Sequence, residues 1–382
     1  MSSHENLFAE RSLKVSQLTP RPGILDIELY QAGKSRATGN VPPIKLSSNE
    51  SAIGSSPKAV EAYHAVADSL FRYPSSDHLD LREALATKEG LDAKRIMLGA
   101  GSDEILQLLC RAYAGPGDEV LYHQYGFVIY AIAAQAAGAT PVKAPEADMT
   151  ANVDNLLAAV TEKTRIVFVA NPSNPTGTYL PMSEIERLQA NLPENVLLVI
   201  DAAYAEFCTK EDYEIGTDLV DRCENVVVTR TFSKLYGLAG LRLGWAYGSQ
   251  DVIDVLNRIR GPFNVGSPAL AAGMAAIADT DFVERALEHN AEWLPWLTEQ
   301  VQALGLEVTP SATNFILIRF PQEKGRDAEA ANNYLMARGY IVRKVDEYGL
   351  PNCLRCTVGL EEHNKGFVSV LRDFMAQVRA AQ

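Results

Sequence analysis

Three short runs of mostly branched apolar residues constrain this chain more than any other feature: IVFVA at 166–170, VLLVI at 196–200 and VVVT at 226–229. A strand is apolar on both faces where its sheet is covered on both sides, the situation of parallel sheets packed between helices. Helix-like segments at 57–70, 79–90 and 103–113 alternate with short apolar runs, and 181–192 supplies a crossover helix between the first two strands. The alternation predicts an α/β fold with a mostly parallel, doubly covered sheet.

Each run ends on polar residues: the first on NPSNPTG at 171–177, the second on Asp201, the third on Thr231, Ser233 and Lys234. Open parallel sheets bind ligands beyond the carboxyl ends of their strands. An amide, a carboxylate and an amine are therefore expected in one crevice.

Outside this block the composition changes. Residues 1–45 carry Pro20, Pro22, Pro42 and Pro43 with Gly23, Gly33 and Gly39, a density of breakers that suits an extended arm. Beyond about 280, a charged helical stretch at 282–304 is followed by a strand at 314–320, a helix at 328–338 and a strand at 354–358. The expected organisation is an N-terminal arm (1–45), a large domain (46–280) and a smaller α+β C-terminal domain (281–382).

Lys and Arg number 35 against 48 Asp and Glu, a net charge of −13 that repels nucleic acid and anionic membrane surfaces. A hydrophobic content of 47% excludes a disordered chain. The start, MSSHENLFAERS, lacks the apolar core of a secretory signal, and no window holds about 18 uninterrupted apolar residues. These features lead to the expectation of a soluble, cytoplasmic protein. The five cysteines are scattered; Cys353 and Cys356 form a CxxC, but His363 alone does not complete a zinc site, so no metal is expected.

Gly99-Ala100-Gly101-Ser102-Asp103-Glu104 follows a short apolar run and opens a helix. Free amides and the positive helix end there suit a phosphate, although a plain turn with a helix start explains the segment as well. Lys234 directly follows a strand of buried type, and a desolvated lysine gains nucleophilicity; a lysine that snorkels to solvent is the competing reading. Asp201, at a similar strand end, needs a cationic partner to stay ionised.

Taken together, NPSNPTG, Asp201-Ala202-Ala203-Tyr204, Ser233-Lys234 and Arg242 resemble the signature of pyridoxal 5′-phosphate aminotransferases of the aspartate aminotransferase fold. LSSNE at 46–50, RYP at 72–74, GSDE at 101–104, TNFILIRF at 313–320 and LRCTVG at 354–359 bring the resemblance closest to the histidinol-phosphate aminotransferase family. It spans nearly the whole chain.

The resemblance implies that Lys234 carries the cofactor as a Schiff base and, once displaced, moves a proton at the substrate Cα. It assigns Asp201 to the pyridinium nitrogen, Asn174 and Tyr204 to the ring's phenolic oxygen, and Tyr125 to stacking on the ring. The cofactor phosphate falls to Gly101, Ser102, the Asp103 amide, Thr231, Ser233 and Arg242. Tyr73 is expected to reach the cofactor phosphate of a neighbouring subunit, which implies a homodimer with shared sites. Arg343 and Arg355 are implied anion contacts for the substrate, and Tyr30 is expected to close over its phosphate. Asn49 opens Asn49-Glu50-Ser51-Ala52-Ile53-Gly54, where the family usually has a different continuation. That segment lines the substrate entrance, so the departure keeps an aromatic amino acid aminotransferase in play beside the histidinol phosphate reaction, with 2-oxoglutarate as acceptor. A phospho-amino-acid decarboxylase of the same fold is a further alternative, and a non-catalytic relative a last one.

Overall fold

The computed structural model describes residues 19–29 and 42–380. Its strands are β1 (Ile44–Lys45), β2 (Ile96–Gly99), β3 (Glu119–His123), β4 (Thr140–Ala144), β5 (Thr164–Ala170), β6 (Leu197–Asp201), β7 (Val226–Thr231), β8 (Gly244–Gly248), β9 (Glu307–Val308), β10 (Phe315–Arg319), β11 (Tyr340–Ile341), β12 (Arg343–Lys344) and β13 (Cys353–Thr357). Seven of them form one sheet in the order β2-β8-β7-β6-β5-β3-β4. Every neighbouring pair in it is parallel except the two made by β8.

The apolar runs are the central strands β5, β6 and β7, and they feed two cores at once. Val167, Val169, Leu198, Ile200, Val226 and Val228 enter one apolar cluster, while Ile166, Phe168, Leu197, Val199 and Val227 enter another. Alternate residues of a strand point to opposite faces, so a sheet covered on both sides requires the uninterrupted pattern. Each such side chain contributes about 1.5–3 kcal/mol by leaving water. Val199→Asp, at a position with no accessible surface, would leave an unpaired charge inside that second apolar cluster.

The crossover between β5 and β6 is the helix Met182–Asn191. The expected helix at 57–70 divides into Pro57–Ala65 and a 3-10 turn at Ala67–Ser69. Ser56 caps the first by accepting from the amides of Lys58 and Ala59.

The smaller sheet is antiparallel, in the order β12-β13-β10-β9. The helices Thr280–Ala303 and Glu361–Ala380 pack with it through Leu297, Val301, Ile316, Leu354, Phe367 and Leu371. The thiols of the CxxC diverge here: Cys356 belongs to this cluster and Cys353 to a separate one with Leu317 and Tyr348. Burial pushes both thiols up.

The segment around residue 45 is tied to the C-terminal unit. β1 pairs in parallel with β11, the Thr357 amide donates to the Leu46 carbonyl at 2.9 Å, and Leu46 packs in the C-terminal cluster. The following residues, Ser47 to Asn49, lead from that unit to the carboxyl edge of the large sheet, where they help to line a cavity.

Candidate active site

Beyond the ends of β5, β6 and β7 lies a cavity of about 330 Å³, lined by Asn174, Asp201, Tyr204, Thr231, Ser233, Lys234 and Arg242 of the large unit. Arg343 and Arg355 line it from the small unit, and Asn49 from the connecting segment. Ser102 and Asp103 line it at the start of the helix Ser102–Tyr113. The three strand ends thus deliver amide, carboxylate and amine to one place, as expected from sequence.

Asp201 is the last residue of β6 and is only 5% exposed. Tyr130 donates its hydroxyl to Oδ2 at 2.8 Å, and Thr229, its partner in register on β7, donates to Oδ1 at 3.1 Å. Burial pushes the carboxyl up to about 6, while the two hydroxyls pull it back down. A cationic ring nitrogen opposite this carboxylate would supply the counter-charge that two neutral hydroxyls do not, so the site fits a pyridinium.

The end of the cavity at this helix start is shaped by backbone. Gly101 precedes the helix with φ 81° and ψ 163°, and a Cβ there would collide with Nη2 of Arg242. A Cβ on Gly244 would collide with the Ser102 amide nitrogen. Two glycines therefore keep open a cradle of helix amides and a guanidinium, which suits a phosphate. Arg242 has φ 52°, an uncommon left-handed backbone for arginine. Its Nη1 donates to Ser233 Oγ at 3.4 Å, and its Nη2 pairs with Asp103 at 2.9 Å.

Lys234 Nζ donates to the Ser48 carbonyl at 3.2 Å and sits 5.6 Å from the centre of the Tyr204 ring. The Tyr204 hydroxyl accepts from Asn49 Nδ2 at 2.7 Å. Asn49, also left-handed at φ 54°, exchanges two hydrogen bonds with Thr357 of β13. This ties the lysine's neighbours to the small unit.

Arg343 and Arg355 stand directly opposite each other on β12 and β13. Arg355 donates to the Ser47 carbonyl at 2.8 Å and to Asn174 Oδ1, and lies over the Phe315 ring; Arg343 pairs with Glu347. Both are more than nine-tenths buried. Like charges opposite one another on one sheet face repel, and Glu347 offsets part of that charge at Arg343.

Two described tyrosines named from sequence are not among the lining residues. Tyr125 does not line the cavity, whereas Phe127 does. The turn at 123–126 closes through the Gly126 amide on the His123 carbonyl, and Glu146 accepts from the Tyr125 amide. The Tyr125 side chain is thereby packed against the cluster of Leu317, Val345 and Tyr348. Tyr73 also lies outside this cavity; it is 82% exposed and stacked on Phe263 at 4.5 Å. Tyr30 lies outside the described residues. Tyr130, Thr229, Ser47, Ser48, Phe127 and Tyr348 join the site without having been singled out from sequence. Thr229 could have been found, because it shares a strand face with Thr231; Tyr130 sits beside an alanine-rich helix stretch that carries no such signal. Among the described residues no group of acidic, histidine or cysteine side chains is arranged to hold a metal ion, and no helix is long and apolar enough to cross a membrane.

Comparison with known proteins agrees with this geometry. Residues 41–371 match the family model for aminotransferase class I and II. A histidinol-phosphate aminotransferase of Paramagnetospirillum magneticum is 59% identical over 93% of this chain and 98% of its own length. One from Maricaulis maris is 54% identical over 94% and 99%. The crystal structure of the histidinol-phosphate aminotransferase of Sinorhizobium meliloti in complex with pyridoxal-5′-phosphate superposes with a TM-score of 0.86 at 27% identity, covering 95% of this chain and 98% of that one. The chain belongs to the class I and II aminotransferases and, among them, to the histidinol-phosphate aminotransferase family.

Proposed function

We propose that this protein transfers the amino group of L-histidinol phosphate to 2-oxoglutarate, giving imidazole acetol phosphate and L-glutamate in two alternating half-reactions. The observation that carries this reading is the facing pair Arg343 and Arg355 in the cavity that also holds Lys234 and Asp201. A bound dianion turns their mutual repulsion into attraction, and planar guanidinium forks accept phosphate and carboxylate alike. One site can then take the phosphorylated donor and the dicarboxylate acceptor in turn.

When bound, pyridoxal 5′-phosphate supplies an electron sink for charge that develops at the substrate Cα. The chain's own groups do the rest. Ser102, Asp103, Thr231, Ser233 and Arg242 hold the cofactor phosphate, with Gly101 giving it room. Asp201 would face the ring nitrogen and keep it protonated. Asn174 and Tyr204 orient the ring through its phenolic oxygen, and Phe127 offers the flat apolar contact expected of Tyr125. Lys234, the one amine among the lining residues, takes the proton from the donor Cα and returns it.

The reading extends to a cytoplasmic homodimer, with Tyr73 reaching the partner site's cofactor phosphate and Tyr30 closing over the substrate phosphate. It also keeps the division into arm, large domain and small domain at 1–45, 46–280 and 281–382. Steady-state kinetics test the substrate. The value of kcat/KM for L-histidinol phosphate should exceed that for phenylalanine by about three orders of magnitude or more, because phenylalanine offers the facing arginines a singly charged carboxylate in place of a phosphate dianion. Equal values would overturn the assignment.

A further inference from the structure

Behind the cavity wall lies a residue the reaction has not yet claimed. Tyr130 is the second residue of the helix Ile129–Ala137 and has no accessible surface. Its ring stacks on Phe168 of β5 at 4.7 Å and 4°, with Tyr122 and Phe127 edge-on at 5.9 and 6.1 Å. Held on three sides, the ring has one direction for its hydroxyl, toward Asp201 Oδ2 at 2.8 Å. We infer that Tyr130 is a positioning residue: its hydroxyl keeps the Asp201 carboxylate ionised and aimed into the cavity, and thereby sets how tightly the chain holds a pyridinium. The inference rests on the cofactor reading given above.

The surrounding groups leave this task chiefly to Tyr130 and Thr229, with a smaller favourable electrostatic contribution from His123. His123 on β3 is the nearby ring that could have bonded Asp201, but it is committed elsewhere. Its Nε2 accepts the Ala170 amide at 3.2 Å, so its proton sits on Nδ1, facing Glu146 at 2.6 Å. Asp103, from the helix Ser102–Tyr113, opposes ionisation of Asp201 by like charge. The two hydroxyls counter burial, and the Tyr130 bond is the shorter. A hydrogen bond to the charged form of a group favours that form.

The test uses the full chain freed of cofactor, with 13C-labelled aspartate carboxyls, the Asp201 signal being assigned by Asp201→Asn. Tyr130→Phe removes a single oxygen. It should raise the titration midpoint of Asp201 by about one pH unit and weaken pyridoxal phosphate binding about tenfold. 3-Fluorotyrosine placed at position 130 keeps the packing, makes the phenol a stronger donor, and should move the midpoint down. This second probe serves even where the phenylalanine variant folds poorly, and a merely structural tyrosine would give neither shift. An unchanged midpoint in both proteins overturns the inference. Failure of the wild-type chain to bind pyridoxal phosphate would instead sink the cofactor reading on which it rests.

Discussion

A carboxylate as deeply buried as Asp201 costs free energy to ionise, and the cofactor-free chain carries that cost. Its folded midpoint is about 6 against an ordinary 3.8. Between those values the folded chain binds a proton that the unfolded chain releases, so stability is full below about pH 3.8 and falls as pH rises toward 6. Above that it stays lower by about 3 kcal/mol, at 1.36 kcal/mol per unit. Asp201→Asn removes the ionisation and keeps the shape. In thermal unfolding of the cofactor-free protein, the variant should melt higher than wild type at pH 8, with the gap narrowing by pH 5. A gap independent of pH would contradict the cause assigned here. The same substitution should sharply weaken cofactor binding, a trade of stability for function at one residue.

At the scale of elements, the phosphate cradle depends on how the helix Ser102–Tyr113 begins. Gly101→Ala introduces a Cβ at a positive φ and against Arg242. The affinity for pyridoxal phosphate should fall at least tenfold, read by equilibrium dialysis, while far-UV circular dichroism stays unchanged. Unaltered affinity would mean that the phosphate sits elsewhere. Much of this arrangement could be read from sequence, because strand ends and helix starts are local signals. The uniform runs at 166–170, 196–200 and 226–229 announced the doubly covered sheet, and the polar residues after them announced Asp201 and Lys234. What was illegible depends on distant pairing. Tyr130 meets Asp201 across 71 positions of chain. Arg230, near the end of β7, drew no attention in sequence, yet it is buried with Glu206 and Glu89 as ion-pair partners and over the Trp245 ring. The attachment of β1 to β11 spans the whole molecule and has no local signature.

For the whole molecule, the net charge of −13 opposes ligands that are themselves anions. On the proposed reading, capture falls to local cations that line the cavity, Arg242 at the helix start and the facing Arg343 and Arg355. The exposed stack of Tyr73 on Phe263, beside the exposed Leu70 and Phe71, is the apolar surface expected to be covered by a second subunit. Light scattering should accordingly give twice the chain mass of 41.7 kDa; a monomer with full activity would remove Tyr73 from the site. The central claim is tested most directly by a single half-reaction. The full chain loaded with pyridoxal phosphate is mixed with L-histidinol phosphate alone, and the visible absorbance of the cofactor is followed. The prediction is loss of that absorbance with one imidazole acetol phosphate formed per chain, and its return on adding 2-oxoglutarate. An unchanged spectrum with histidinol phosphate, or conversion by phenylalanine alone, would contradict it.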